Sequence, residues 1–221
     1  GMSNLYEVEV FIDVEPSRIW AALTEPAEIN RWFGWDAETL EEEIRMIFVD
    51  SATVDPGAMR LTFEGLGGQY IEVEASLGSS VIRVVQPGEG DDQSAAMKEG
   101  WITFFHQLKR YIEDHPGLDR RTVYLSGSGD SAEVSAALTV RVPGEEWYDG
   151  DHTLVIGTPD FGPGLAALTS AEGFASPETG KLTLTLSTWG LSAEEISALS
   201  EEWFSWWSAL TEDPEVVTAG A

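Results

Sequence analysis

Side chains able to do acid–base, nucleophilic or metal chemistry are few and scattered. There are three histidines, His106, His115 and His152, and no cysteine. No second histidine stands at ligand spacing from any of them, so no zinc site is expected. Without cysteine there are no disulfides, thiolate ligands or thiol nucleophiles. Glu145, Asp149 and Asp151 gather acidic oxygens, but the twelve-residue calcium-loop pattern is missing. Gly157 to Gly164 (GTPDFGPG) holds glycines and prolines but no lysine, so it is not a phosphate loop. No serine sits in a nucleophile elbow. Glu41-Glu42-Glu43 and Gly90-Asp91-Asp92 read as solvated charge runs. No acid–base pair stands out, so the expectation is a non-enzyme with no catalytic residue, metal or cofactor.

Aromatic surface is concentrated instead. Trp32, Phe33 and Trp35 form one knot, and Trp101, Phe104 and Phe105 lie along one stretch. Residues of this kind fill cores and line apolar ligand cavities alike, because pockets and cores share composition. Phe63 and Tyr70 on flanking strands extend the aromatic set, and Met59 and Met97 add adaptable thioether surface. These ten residues are the candidates for a cavity holding a small apolar molecule. Arg45 and Arg60 neighbour apolar segments and are expected to pair with surface carboxylates rather than anchor an acidic ligand.

The element that must position this set is Ala95 to Asp114. Its apolar residues Met97, Trp101, Phe104, Phe105, Leu108 and Ile112 recur at the spacing of one helical face. A face this aromatic needs a broad apolar partner, most simply a sheet. His106 is expected on the polar side. Upstream, Leu5 to Asp13 alternates apolar and acidic residues, as a half-buried strand does. Glu15-Pro16-Ser17 opens a helix with Pro16 early, where a missing N–H costs nothing, and Thr24-Glu25-Pro26 leads into a short second helix ending at Trp32. Glu38 to Val49 reads as helical, with its Ile44–Val49 end fitting a strand equally well. Asp55-Pro56-Gly57 is a turn. Met59–Phe63, Tyr70–Ala75 and Val81–Val85 read as strands, joined so closely that antiparallel hairpins are favoured. Pro87 to Gln93 reads as a polar loop.

The second half follows the same plan. Arg121–Leu125 reads as a strand and Glu133–Val142 as a helix. Thr153–Ile156, Gly164–Leu168 and Leu182–Thr188 read as strands. Ser192 and Glu195 form a capping box for a helix to Leu210. Ala21-Ala22-Leu23-Thr24 returns 115 residues later as Ala136-Ala137-Leu138-Thr139, and the same offset takes Trp32-Phe33 to Trp147-Tyr148. At an offset of 102, Met97, Trp101, Phe104, Phe105 and Leu108 become Leu199, Trp203, Trp206, Trp207 and Leu210. An internal repeat is therefore expected, with units 1–117 and 118–221 and the Glu38–Val49 element missing from the second.

The net charge of −27 splits into −14 over residues 1–117 and −13 over residues 118–221. A surface so uniformly acidic repels phosphate backbones and anionic lipid, so neither nucleic acid nor membrane is an expected partner. No apolar run approaches the ~20 residues of a membrane span. The start lacks an apolar leader segment. With no cysteine as well, a cytoplasmic setting is expected.

Ile19-Trp20-Ala21-Ala22-Leu23-Thr24-Glu25-Pro26, then Arg31-Trp32-Phe33, then Gly100-Trp101 and Leu108, resemble the SRPBCC (START/Bet v 1-like) superfamily. The branch is the one similar to the C-terminal domain of the ATPase activator of the ninety-kilodalton heat-shock chaperone. The resemblance covers residues 5–115 directly and 121–210 through the repeat. It implies an α+β helix-grip fold, a curved antiparallel sheet wrapped on a long C-terminal helix, here duplicated with the second copy degenerate. It implies a binding protein holding a small apolar ligand between sheet and helix. A protein-partner regulator and a cyclase- or hydrolase-type enzyme are the alternatives the same superfamily offers. The region from Trp35 to Pro56 departs from the family, reading as helical where strands are usual.

Overall fold

The computed structural model describes residues 3–89 and 95–218. The reading of a polar loop at Pro87–Gln93 therefore lies partly outside the described residues. The chain is α+β and divides into two compact units. The first comprises Gly1–Gly34 and Thr39–Gly117, the second Trp35–Glu38 and Leu118–Ala221.

In the first unit, β1 (Asn4–Ile12) is followed by α1 (Pro16–Thr24), α2 (Pro26–Ile29) and α3 (Leu40–Ile44). A π-helical segment, Arg45–Asp50, then leads to β2 (Ala52–Asp55), β3 (Arg60–Phe63), β4 (Gln69–Ser76), β5 (Ser79–Pro87) and α4 (Ala95–Asp114). The sheet order is β1-β5-β4-β3-β2, antiparallel throughout. Alternation on β1 buries Tyr6, Val8, Val10 and Ile12 and exposes the residues between them, Phe11 included. On β3 and β4 the inward set is Leu61, Phe63, Gln69, Ile71 and Val73. Helix α4 packs on β1.

Helix α4 is buried more widely than its apolar stripe predicts. His106, expected on the polar side, is buried, as are Thr103 and Gln107, which also lie off the apolar stripe, whereas Met97 is 40% exposed. The cause on one side is specific: the Gln107 amide donates to the carbonyls of Trp32 (2.7 Å) and Gly34 (2.9 Å). The chain after α2 therefore covers a side of α4 that the periodicity marks as outer.

In the second unit, β6 (Arg120–Asp130), α5 (Ser131–Arg141), β7 (Glu145–Asp149), β8 (Thr153–Thr158), β9 (Gly164–Ser170) and β10 (Thr179–Trp189) precede α6 (Ala193–Leu210) and β11 (Glu212–Thr218). The sheet order is β11-β6-β10-β9-β8-β7. Without β11, this is the strand order of the first unit. Inward residues of β6, β8, β9 and β10 meet α5 and α6 in one core, with Leu138, Leu168, Leu184, Leu186, Trp203 and Trp207 at its centre. The capping box at Ser192 and Glu195 is present, and Asp130 caps α5 through the Glu133 N–H.

The differences from the sequence expectations have local causes. The helix expected over Glu38–Val49 is α at its start and π from Arg45, where the Ser51 N–H reaches the Met46 carbonyl. Strands β2, β7 and β11 were not anticipated. All three are sheet edges, largely exposed, and carry no clean apolar alternation. Pro214 sits in β11 where its pairing with β6 is irregular, as a proline in a strand requires. β6 also runs on past the expected end at Leu125, through Ser126-Gly127-Ser128-Gly129. The glycines are needed there because a Cβ on Gly127 would lie 2.8 Å from Thr211 Oγ1, and one on Gly129 3.2 Å from the Leu210 carbonyl. The match of Trp32-Phe33 to Trp147-Tyr148 does not survive. The first pair is buried after α2, while the second lies on edge strand β7, where Trp147 covers Gly157.

Candidate functional site

Six of the ten cavity candidates come together in the first unit. Trp32 and Phe33 arrive from the turn after α2, Phe63 from β3, and Trp101, Phe104 and Phe105 from α4. Phe33 lies 5.0 Å from Phe104 and 5.9 Å from both Trp32 and Trp101, ring centre to ring centre. Trp101 lies 5.4 Å from Phe105 and is nearly parallel to Phe63 at 6.4 Å. Most of the remaining contacts are edge-on, the arrangement favoured by the ring quadrupole. A seventh ring, Phe48, bridges Trp32, Phe33 and Phe63 at 5.1–6.0 Å. It was not among the candidates. Its signal was its place beside Leu40 and Ile44 on the apolar side of the Glu38–Val49 segment.

The other candidates lie elsewhere. Tyr70 points to the opposite face of the sheet, under the Arg60 guanidinium at 4.2 Å, and Arg60 pairs with Glu72. Met59 is half-buried in the turn before β3, with φ at +49°. Trp35 belongs to the second unit and stacks on Tyr124 at 4.1 Å. Beside it the Asp36 N–H donates to Thr122 Oγ1 at 2.8 Å, and its carboxylate stands 3.9 Å from buried Arg120. Burial pushes the Asp36 carboxyl up and the Arg120 guanidinium down, so this pair works against desolvation. Met97 borders the cluster, within 3.4 Å of the Gln69 amide nitrogen.

At that border the interior turns polar, which sequence reasoning missed. Gln69 is completely buried, and Tyr6 and Gln86 nearly so. Gln69 Nε2 donates to the Tyr6 oxygen and to Gln86 Oε1 (3.0 Å), and Gln86 Nε2 donates to the Leu66 carbonyl (3.0 Å). Burial raises the Tyr6 phenol to about 12, so it stays neutral. Gln69 and the Trp101 indole pull that value partly back. The indole N–H nevertheless stops short of a hydrogen bond: among the described residues, Trp101 Nε1 and Gln69 Oε1 are buried with no partner. An unsatisfied buried polar group costs roughly 1–3 kcal/mol. A donor and an acceptor are thus left without partners beside the aromatic cluster, among the described residues. The available signal was Gln69 at an inward position of a strand, next to the Gly67-Gly68 turn.

The histidine on α4 does not join this set. His106 Nδ1 lies 2.7 Å from the Ile102 carbonyl, and burial lowers its pKa. Among the described residues, no group of three His, Asp or Glu is placed to hold a metal ion, and no helix is long and apolar enough to cross a membrane.

A concave feature of the first unit lies between α2 and the π-helical segment. It is a groove of about 650 Å³ lined by Pro26, Ala27, Asn30, Glu41, Ile44, Arg45, Val49 and Asp50. Arg60 is paired, as expected. Arg45 is not: among the described residues it makes no ion pair or hydrogen bond. Met46 and Val49, more than half exposed, flank it.

No family model matches the chain, and no curated protein matches it. Among the solved structures similar to it at low identity are the following three. DynU16, from the dynemicin biosynthetic locus, shares 17% identity over 92% of this chain and 94% of its own, with a TM-score of 0.34. The Aha1 dimer from Colwellia psychrerythraea shares 17% identity over 52% of this chain and 100% of its own, at 0.37. The di-domain ARO/CYC StfQ from the steffimycin biosynthetic pathway shares 12% identity over 89% of this chain and 88% of its own, also at 0.37. None of these likenesses assigns a role to a residue of this chain.

Proposed function

We propose that the first unit is a non-catalytic binding module for a small, mainly apolar molecule with a flat face and one carbonyl or hydroxyl group. The observation that carries this reading is the unpartnered pair Trp101 Nε1 and Gln69 Oε1, buried at the edge of the aromatic cluster among the described residues. The bound molecule lies against Trp101 and accepts from its N–H or donates to Gln69. The reading takes the protein to be a tandem of two helix-grip units of the SRPBCC kind, 1–117 and 118–221, the second degenerate. The shared strand order of the two sheets supports that duplication. A cytoplasmic setting goes with the same reading.

Titration with 1-naphthol, read by tryptophan emission and by calorimetry, tests it. Saturable binding to one site is expected, weakened about tenfold by Trp101→Phe or Gln69→Leu, the equivalent of one hydrogen bond. Binding that never saturates, or that ignores both substitutions, removes the proposal. Conversion of a bound molecule, instead of its recovery unchanged, would favour the enzyme alternative.

A second reading has its own observation: the groove with the unpaired Arg45, flanked by exposed Met46 and Val49, in a chain short of cations. It supports docking of a partner protein that presents a carboxylate beside an apolar side chain. The ATPase rate of a heat-shock chaperone, with wild-type protein and with Arg45→Glu, tests it. An unchanged rate with either protein counts against it.

A further inference from the structure

The β3–β4 hairpin closes on the pair Phe63 and Gln69 around five loop residues. The β8–β9 hairpin closes on Thr158 and Gly164, also around five. In both units the inward residues then follow at every second position, Ile71 and Val73 in one, Ala166 and Leu168 in the other. Gly164 therefore holds in the second unit the place that Gln69 holds in the first. Trp203 on α6 answers Trp101 on α4 in the apolar pattern of the two helices.

What fills the space beside Gly164 is a ring from the chain's own hairpin loop. A Cβ on Gly164 would lie 2.4 Å from Phe161 Cδ2. The Phe161 ring meets Trp203 edge-on at 5.9 Å and packs against the core while partly exposed. To place it there, the backbone of Phe161 takes φ +48°, a left-handed conformation unfavourable for a bulky L-residue. The ring is thus inserted against the local backbone preference, into a space that a glycine leaves open and a tryptophan edge lines. Strain of this kind persists only where surrounding contacts over-determine it.

We propose that this space in the second unit, between the β8–β9 hairpin and α6, is a latent binding site for one benzene-sized aromatic ring, and that Phe161 is its tethered occupant. A free ring in the same place would make the same edge-on contact with Trp203 and the same close approach to Gly164, without backbone strain. The site differs from the one in the first unit in offering no side-chain amide or phenol, although the Ser187 and Asp160 carbonyls lie near Gly164.

The test is Phe161→Ala in the full chain, with benzene alone as probe, read by the melting temperature and by tryptophan emission. Removing Phe161, a partly exposed ring, leaves an apolar notch edged by Trp203, and apolar spaces lined in this way take up benzene. The expected result is a saturable, benzene-dependent rise in melting temperature, with binding at least ~10-fold tighter than to wild type, equivalent to about 1.4 kcal/mol. Wild type carries an unaltered first unit, so the difference between the two proteins reports on the second. A folded variant with no benzene effect overturns the proposal, and so does equal binding by wild type. If the variant does not fold alone, refolding in saturating benzene decides: recovery of the folded signal supports the site, and its absence refutes it.

Discussion

Gln69 and Gly164 stand at the same place in two sheets whose strand order agrees once β11 is set aside, and their surroundings differ accordingly. In the first unit the amide brings polar company, Tyr6 and Gln86, and leaves one acceptor and the nearby indole N–H without partners among the described residues. In the second unit the missing side chain admits an aromatic ring, and the neighbouring interior is aliphatic and aromatic. The tryptophans differ in the same sense. Trp207 donates its N–H to the Ser126 carbonyl at 2.9 Å, whereas Trp101 stands with its N–H free of any such bond. A single buried position next to a hairpin thus separates an interior with unpartnered polar atoms among the described residues from one filled by a ring.

The contrast can be broken at several points. Trp207→Ala, which empties the centre of the second core, is expected to cost about 3–5 kcal/mol in denaturant melts; a cost below about 1 would mean that this core is not packed as described. Gly164→Ala comes next. Its methyl would meet Phe161 and also the Ser187 carbonyl at 2.8 Å, so a loss of roughly 1–3 kcal/mol is expected from the overpacking. Substituting phenylalanine sharpens the comparison of the tryptophans. Trp207→Phe leaves the Ser126 carbonyl without its donor and costs about 1–3 kcal/mol, while Trp101→Phe stays within about 1 kcal/mol of wild type. Equal costs would show that Trp101 is hydrogen-bonded after all.

The smallest effect concerns pH. Burial, with a contribution from Lys109, lowers the pKa of His106 in the folded unit. Between that value and the ordinary histidine value, the unfolded chain holds a proton that the folded chain lacks. Stability is therefore complete above the ordinary histidine range and falls as the pH drops through it. Replacing His106 by Gln should flatten the dependence of the denaturation midpoint between about pH 5 and 8. An unchanged slope would assign it to other groups.

How far the sequence was legible varies with the kind of element. α4, α6 and their apolar faces were plain, because a face repeated over five turns is strong evidence in a single stretch of chain. The central strands were legible for the same reason. Edge strand β1 was legible too, because α4 covers one of its faces and imposes alternation, whereas β2, β7 and β11 are edges that are largely exposed and carry no clean apolar alternation. Of the aromatic candidates, Trp32, Phe33, Phe63, Trp101, Phe104 and Phe105 do meet. Tyr70 and Trp35 do not, and nothing in their neighbours distinguishes them: Tyr70 is one residue out of phase with the inward set, and Trp35 follows the Gly34 turn out of the first unit.

What the amino-acid sequence determined on its own was the order of the two long helices and of the strands with clear apolar alternation, the aromatic stripe of each long helix, the acidity, and the lack of thiol chemistry. These are properties of residue type and short spacing, and they need no knowledge of distant contacts. The tertiary structure alone decided that the polar side of α4 is covered, that Gln69 and the Trp101 N–H are buried unpartnered among the described residues, and that Phe161 fills the space beside Gly164. Each depends on which segments, far apart along the chain, come to lie over one another, and burial is set by that neighbour rather than by the residue itself.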